Sequence, residues 1–181
     1  MNSYLVVAAT AAEAAHVPAG LPVVITGMGK TAAAAATTRA LCGRDDLDRL
    51  TVVNIGTAGA LHDGLEGLHT PGVVLNHDLS ADIIRALGYD PQERLVLHDD
   101  PTVLATGDVF VTDPVVRARL AERAQLVDME GYAVAWAALQ LGVRVRLVKH
   151  VSDNADESAL DWPALVEASA KALGGWLRDN L

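Results

Sequence analysis

A chain of 181 residues, 51% hydrophobic and 20% charged, is long enough to bury a core without staples and too apolar to remain disordered. Its net charge of −9 excludes the basic footprint that a nucleic-acid partner needs. A single cysteine, Cys42, leaves no intrachain disulfide and suits a reducing cytoplasm.

In chain order, residues 4–9 (YLVVAA) read as a first strand. The N-terminus lacks a basic region and carries Glu13 soon after a short apolar stretch, which is not the pattern of a signal peptide. No segment is long and apolar enough to span a bilayer, so a membrane is not expected as a partner. Residues 22–26 (PVVIT) form a second strand, 30–41 an alanine-rich helix and 51–55 (TVVNI) a third strand. Weaker strands are expected at 72–76, 94–98 and 125–128. Helices are expected at 114–123, with Pro114 near the start, and at 130–141, which is apolar almost all round and therefore buried. A strand at 145–151 (VRLVKHV) precedes a last helix over 162–178, with Asp161 as N-cap and Pro163 in its first turn. The continuously apolar strands read as covered on both faces. Strands alternating with helices give one α/β domain over 1–181 with three layers. With aromatic residues at 4%, its core falls to Val, Leu, Ile and Ala.

The stretch VVITGMGKTAAAAATT (23–38) invites a phosphate-loop reading. That motif needs a glycine where Val24 stands, so the loop is too short to wrap a diphosphate. A strand, a tight turn and a helix N-terminus remain, and these present backbone N–H groups to a ligand. Ligands in α/β sheets bind beyond the carboxyl ends of the strands. There this sequence puts Ala9-Thr10-Ala11-Ala12-Glu13, Gly27-Met28-Gly29, a second glycine turn at Gly56-Thr57-Ala58-Gly59, Asp128-Met129-Glu130 and Ser152-Asp153-Asn154.

Each has a plainer reading. Glu13 by position alone reads as a solvated residue of a short helix, the glycine turns as tight connections, and Ser152-Asp153 as a turn cap. Glu130 heads an apolar helix, where a carboxylate needs a partner or a task beyond the favour of the helix N-terminus. His62, Asp63, His69, His77 and Asp78 match no metal-ligand spacing and read as a polar loop, so no metal or other cofactor is expected. No Gly-x-Ser-x-Gly elbow is present. Cys42 reads as a core residue.

Six stretches in order resemble the nucleoside phosphorylase/hydrolase superfamily, and within it the 5′-methylthioadenosine/S-adenosylhomocysteine nucleosidases and related purine nucleosidases. They are Ala9 to Glu13, Thr26 to Lys30, Asn54 to Gly59, Thr106 to Phe110, Asp128 to Glu130, and Val151 to Asp153. The resemblance implies a three-layer α/β/α sandwich with a mixed central sheet. It implies a small-molecule nucleoside as partner, methionine salvage as setting and a homo-oligomer, a dimer being favoured. It assigns Glu13 to activating water and Asp153 to protonating the purine N7, with Ser152 in support. Glu130 holds the ribose hydroxyls and Met129 lies against the sugar. Phe110 stacks near the base, the Val111 backbone reads its edge, and Thr57 replaces a serine of the pocket.

This division of labour suits N-glycoside cleavage, which builds positive charge on the sugar and negative charge on the leaving purine. Asp153 must carry a proton when it acts, which burial or hydrogen bonding to the purine has to supply. Arg39, Arg44 and Arg49 lie late in the first helix or beyond it, and only Lys30 adjoins the glycine turn, so hydrolysis is favoured over phosphorolysis. The alternatives are a purine nucleoside phosphorylase using Lys30 and backbone N–H groups, and a non-catalytic nucleoside-sensing module. The chain is shorter than typical relatives between about 89 and 106, and it departs from their pattern at Asp128, Gly131 and Tyr132. Both features bear on which substituent the pocket accepts.

Overall fold

The computed structural model describes residues 3–181. Strands β1 (Ser3–Ala8) and β3 (Leu50–Ala60) pair in parallel, from Ser3 against Leu50 to Val7 against Asn54. The short strand β2 (Val23–Ile25) closes one edge beside β1. Strand β9 (Arg144–Asp153) runs parallel along the other side of β3, and β4 (Leu68–His69) pairs antiparallel with β9. At its end β3 turns to pair antiparallel with β8 (Leu126–Asp128). From β8 the sheet continues through β7 (Val103–Thr106), β5 (Val73–Asn76) and the antiparallel edge strand β6 (Arg94–Val96). These nine strands of the described residues make one mixed sheet.

Strand parity builds the layers, because alternate side chains leave opposite faces of a sheet. Leu5 and Val7 of β1, Val52 of β3 and Leu147 of β9 pack with helices α1 (Lys30–Leu41) and α4 (Gly131–Gln140). Val6, Ala8, Val53, Ile55 and Val148 face the other way, against Leu173 and Leu177 of α5 (Trp162–Asn180). Fully burying each such Val, Leu or Ile contributes about 1.5–3 kcal/mol, so both faces of the central strands are strongly specified. A third cluster joins Leu120 of α3 (Pro114–Ala121) to Ala105, Val127 and Ala155 beside the carboxyl ends of β7 and β8. The arrangement is the three-layer α/β sandwich with a mixed sheet.

Several local expectations change. Gly56 to Gly59 is not a turn, because β3 runs on to Ala60 and pairs with β9 as far as Asp153. The glycines there serve close approach: a Cβ on Gly56 would stand 3.1 Å from Glu13 Oε1, and one on Gly59 2.8 Å from the Ala155 Cβ. Strand β2 is an edge strand with Val23 and Ile25 exposed, not one covered on both faces. Strands β4 and β7 and the short helix α2 (Ala81–Ala86) carry too few periodic positions to be read from sequence.

Asp161 stands at the N-terminus of α5 but makes no side-chain cap. The 3-10 turn Glu157–Asp161 leads straight into the helix, so the Asp161 backbone (φ −84°, ψ 3°) lacks the extended cap conformation. Asp113, with ψ of 121°, does cap α3 by accepting from Val115 N at 2.7 Å. Cys42 is exposed rather than in the core, because α1 ends at Leu41 and Leu41 takes the buried position.

Candidate active site

The carboxyl ends of β1, β3, β8 and β9 surround a cavity with about 640 Å³ of empty space, part of it open to solvent. Glu13, Thr57, Phe110, Val111, Met129, Glu130, Ser152 and Asp153 all line it, so the structure gathers the eight residues to which the resemblance assigns roles. Their environments differ sharply.

Glu13 is buried, not a solvated helix residue. Its Oε2 accepts from Thr10 N at 3.1 Å and Thr10 Oγ1 at 3.0 Å. Its Oε1 accepts from Thr57 N at 2.9 Å and Thr57 Oγ1 at 3.0 Å. The turn after β1 and the far half of β3 thus hold one carboxylate between two threonines. Asp153 is half-buried at the end of β9, taking bonds from Ser152 Oγ at 2.7 Å and Ala155 N at 2.8 Å. Val111 is buried in the wall, while Phe110 is about half exposed at the mouth.

Glu130 is buried just before α4, and its Oε1 accepts from Gly29 N at 2.7 Å. Burial, and then the neighbouring Asp128 carboxylate, push its proton affinity up to about 7, against the pull of Lys149 and the Gly29 N–H. Asp128 is tied down from three sides. Thr106 Oγ1 donates to it at 2.5 Å, Gly131 N at 2.8 Å, and the Lys149 ammonium lies 2.8 Å away. Tyr132, a departure from the relatives' pattern, donates its N–H to Thr106 Oγ1 at 2.9 Å and its hydroxyl to the Gln92 carbonyl. It fastens the segment before β6 to the floor of the site. Gly131 is needed too, since a Cβ there would meet Leu104 at 2.7 Å and Asp128 at 3.0 Å.

Lys149 is the residue that the sequence reading missed. It lies inside the apolar run of β9, fully buried, on the same strand face as Val145 and Leu147. Burial disfavours its charge, but Asp128, Glu130 and Glu13 outweigh that and hold its affinity above the usual lysine value. A lysine on the inward parity of an otherwise apolar strand was the available signal, because a buried ammonium needs carboxylates around it. Thr10 and Trp162 also line the cavity without having been assigned a role.

Two N–H groups at the glycine turn, which the sequence left open for a ligand, go to internal carboxylates. Gly29 N donates to Glu130, and Lys30 N donates to Asp108 at 2.7 Å. The Lys30 ammonium bonds Asn76 Oδ1 at 2.8 Å and the Asp78 carboxylate. Met28 is what the turn contributes to the cavity wall. Of the residues once weighed as metal ligands, His62 bonds the Ala124 carbonyl and Asp63 pairs with Arg117. No group of three or more candidate ligands is found among the described residues.

Fold and cavity together define a three-layer α/β protein with a site at the carboxyl ends of its strands. The chain belongs to the phosphorylase superfamily, whose profile matches residues 68–174. It is 31% identical to the 5′-methylthioadenosine/S-adenosylhomocysteine nucleosidase of Shewanella denitrificans, over 82% of this chain and 76% of that protein. Over 48% of this chain and 38% of the other, it is 33% identical to the aminodeoxyfutalosine nucleosidase of Helicobacter pylori. The structure of futalosine hydrolase from Helicobacter pylori superposes with a TM-score of 0.85 at 22% identity, covering 99% of this chain and 98% of that one, which establishes the shared fold.

Two outcomes follow from the buried charges. Lys149→Met leaves Asp128, Glu130 and Glu13 without their cation and is expected to cost about 3–5 kcal/mol in denaturant unfolding. Glu130 binds its proton more tightly folded than unfolded, so its contribution to stability is complete below about pH 4.5 and lost as pH rises to about 7. Wild-type stability is therefore expected to fall relative to Glu130→Gln across that window, by at most about 1.4 kcal/mol per pH unit. Parallel profiles for the two proteins would contradict this account of Glu130.

Proposed function

We propose that the protein is a nucleosidase that hydrolyses the N-glycosidic bond of an adenosine-type nucleoside, releasing free base and a ribose derivative. The observation that carries hydrolysis over phosphorolysis is that the protein's own acceptors take up the two N–H groups and the ammonium that open the first helix. Gly29 N–H, Lys30 N–H and the Lys30 ammonium all face carboxylates or Asn76, and the buried Lys149 is paired with Asp128. No arginine is among the described residues lining the cavity. A phosphate dianion would meet Glu13, Asp128, Glu130 and Asp153 with no cationic side chain among the described residues lining the cavity to offset them, whereas neutral water meets no such barrier.

In this reading Glu13, steadied at both oxygens, orients and deprotonates the attacking water. Glu130 and Met129 hold the ribose, and the nearby carboxylates favour positive charge on the sugar as the bond breaks. Asp153, with Ser152 beside it, passes a proton to the purine N7. Phe110 and Val111 bracket the base. Thr57 acts through Glu13. Methylthioadenosine, adenosylhomocysteine and aminodeoxyfutalosine, named in the relatives' activities, are the first substrates to consider.

The test is base release from these nucleosides and from adenosine, inosine and guanosine, with and without phosphate. The expected result is free base with unphosphorylated sugar in the absence of phosphate. Glu13→Gln and Asp153→Asn should each lower kcat by about 10²–10⁴-fold. Phosphate-dependent release of a sugar 1-phosphate would overturn the assignment in favour of a phosphorylase, and tight binding without turnover would favour a sensing module. The same reading places the protein in the cytoplasm, in methionine salvage, and as a homodimer. Exposed Met28, Val109, Phe110 and Val115 at and near the mouth support self-association. Sedimentation at the mass of one chain would remove the dimer from the proposal.

A further inference from the structure

Trp162, the first residue of α5, reaches back to β3: its indole N–H donates to Thr57 Oγ1 at 2.8 Å. The same oxygen lies 3.0 Å from Glu13 Oε1. An indole nitrogen can only donate, a carboxylate oxygen can only accept, and a hydroxyl does both. Held between those two partners, the Thr57 hydroxyl has one orientation open to it, with its hydrogen on Glu13. We infer that Trp162 is a positioning residue for the water-activating step, acting through Thr57 on Glu13. The inference rests on the reading of Glu13 as the group that activates water.

The geometry gives the effect a definite form. The terminal torsion of a glutamate is broad, so the plane of its carboxylate is set by the donors around it. Thr10 grips Oε2 with an N–H and an O–H, and Thr57 grips Oε1 in the same way. Without the indole N–H, the Thr57 hydroxyl is free to turn, and Oε1 keeps only one firm donor. A base whose plane wanders loses rate, because the bond to water must point at the reacting carbon, while binding of the nucleoside is little affected. Trp162 reports on this arrangement from α5, an element that otherwise packs the far face of the sheet.

A double-mutant cycle on kcat and KM tests the assignment, with Trp162→Phe, Thr57→Val and the pair, beside Glu13→Gln. Trp162→Phe should lower kcat about three- to tenfold, the size of one net hydrogen bond, with KM within about twofold. In the Thr57→Val background, where there is no hydroxyl to orient, Trp162→Phe should have no further effect on kcat. Trp162→Met, equally without an N–H, should behave alike and serves if the phenylalanine variant misfolds. Losses that multiply, a loss confined to KM, or an unchanged kcat in Trp162→Phe would overturn the inference. Full activity in Glu13→Gln would instead overturn the reading of Glu13 itself, whatever the tryptophan variants do.

Discussion

The structure turns on one buried cation. Lys149 sits in the middle of the sheet's functional edge, sealed from water, with Asp128 in direct contact and Glu130 and Glu13 close enough to hold its charge. Four buried ionisable groups this close are stable only as a set, since each alone would cost several kcal/mol to bury. The set explains local sequence that otherwise looks arbitrary. Gly56 is a glycine because a Cβ there would stand 3.1 Å from Glu13 and 3.3 Å from the Lys149 ammonium. Gly131 opens α4 because Asp128 and Leu104 leave no room for a side chain. Thr106 is buried because it donates to Asp128 and accepts from Tyr132 N.

The same economy of charge shapes the glycine turn. A helix N-terminus ordinarily favours an anion from solution. Here α1 meets internal anions instead, Glu130 at Gly29 and Asp108 at Lys30, while the Lys30 side chain binds the loop after β5. The turn therefore acts as a clamp between β5, β7 and α4 rather than as a seat for phosphate. Turning this helix N-terminus onto the protein's own carboxylates fixes Glu130 and leaves that terminus less open to an anion from solution. Hydrolysis, in the proposed function, is the chemistry compatible with that exchange.

Most of the framework was legible in the sequence because the central strands carry apolar, β-branched runs. Helix α1 and strands β1, β8 and β9 fall within a few residues of expectation, and the cavity gathers the eight residues singled out. What was illegible was tertiary. Gly56 and Gly59 look like a turn locally, and only the packing of Glu13, Lys149 and Ala155 against them shows why a continuous strand needs glycine there. Strand β7 is four residues long, between Pro101 and Gly107, and its strand character comes from neighbours on both sides. Lys149 was hidden by its own strand, because hydropathy reads a run and not the parity within it. Trp162 was hidden by distance, since its partner lies on β3, more than a hundred positions earlier.

Three carboxylates of one edge thus acquire three environments, and environment is what divides acid from base among like groups. Glu13 is buried but met by four donors, which hold its carboxylate rigid at both oxygens. Glu130 is buried with a single firm donor and a like charge beside it, so it titrates near neutrality and is suited to sharing hydrogens with sugar hydroxyls. Asp153 stands at the rim with Ser152, half open to the space where a base would lie. In the proposed reaction the rigid group serves the step that needs direction, the neutral-range group serves recognition, and the rim group serves the leaving base. Exchanging Glu13 with either of the others would put a less firmly held carboxylate on the water. The order of motifs along the chain is therefore less decisive than the number of donors that each strand end supplies.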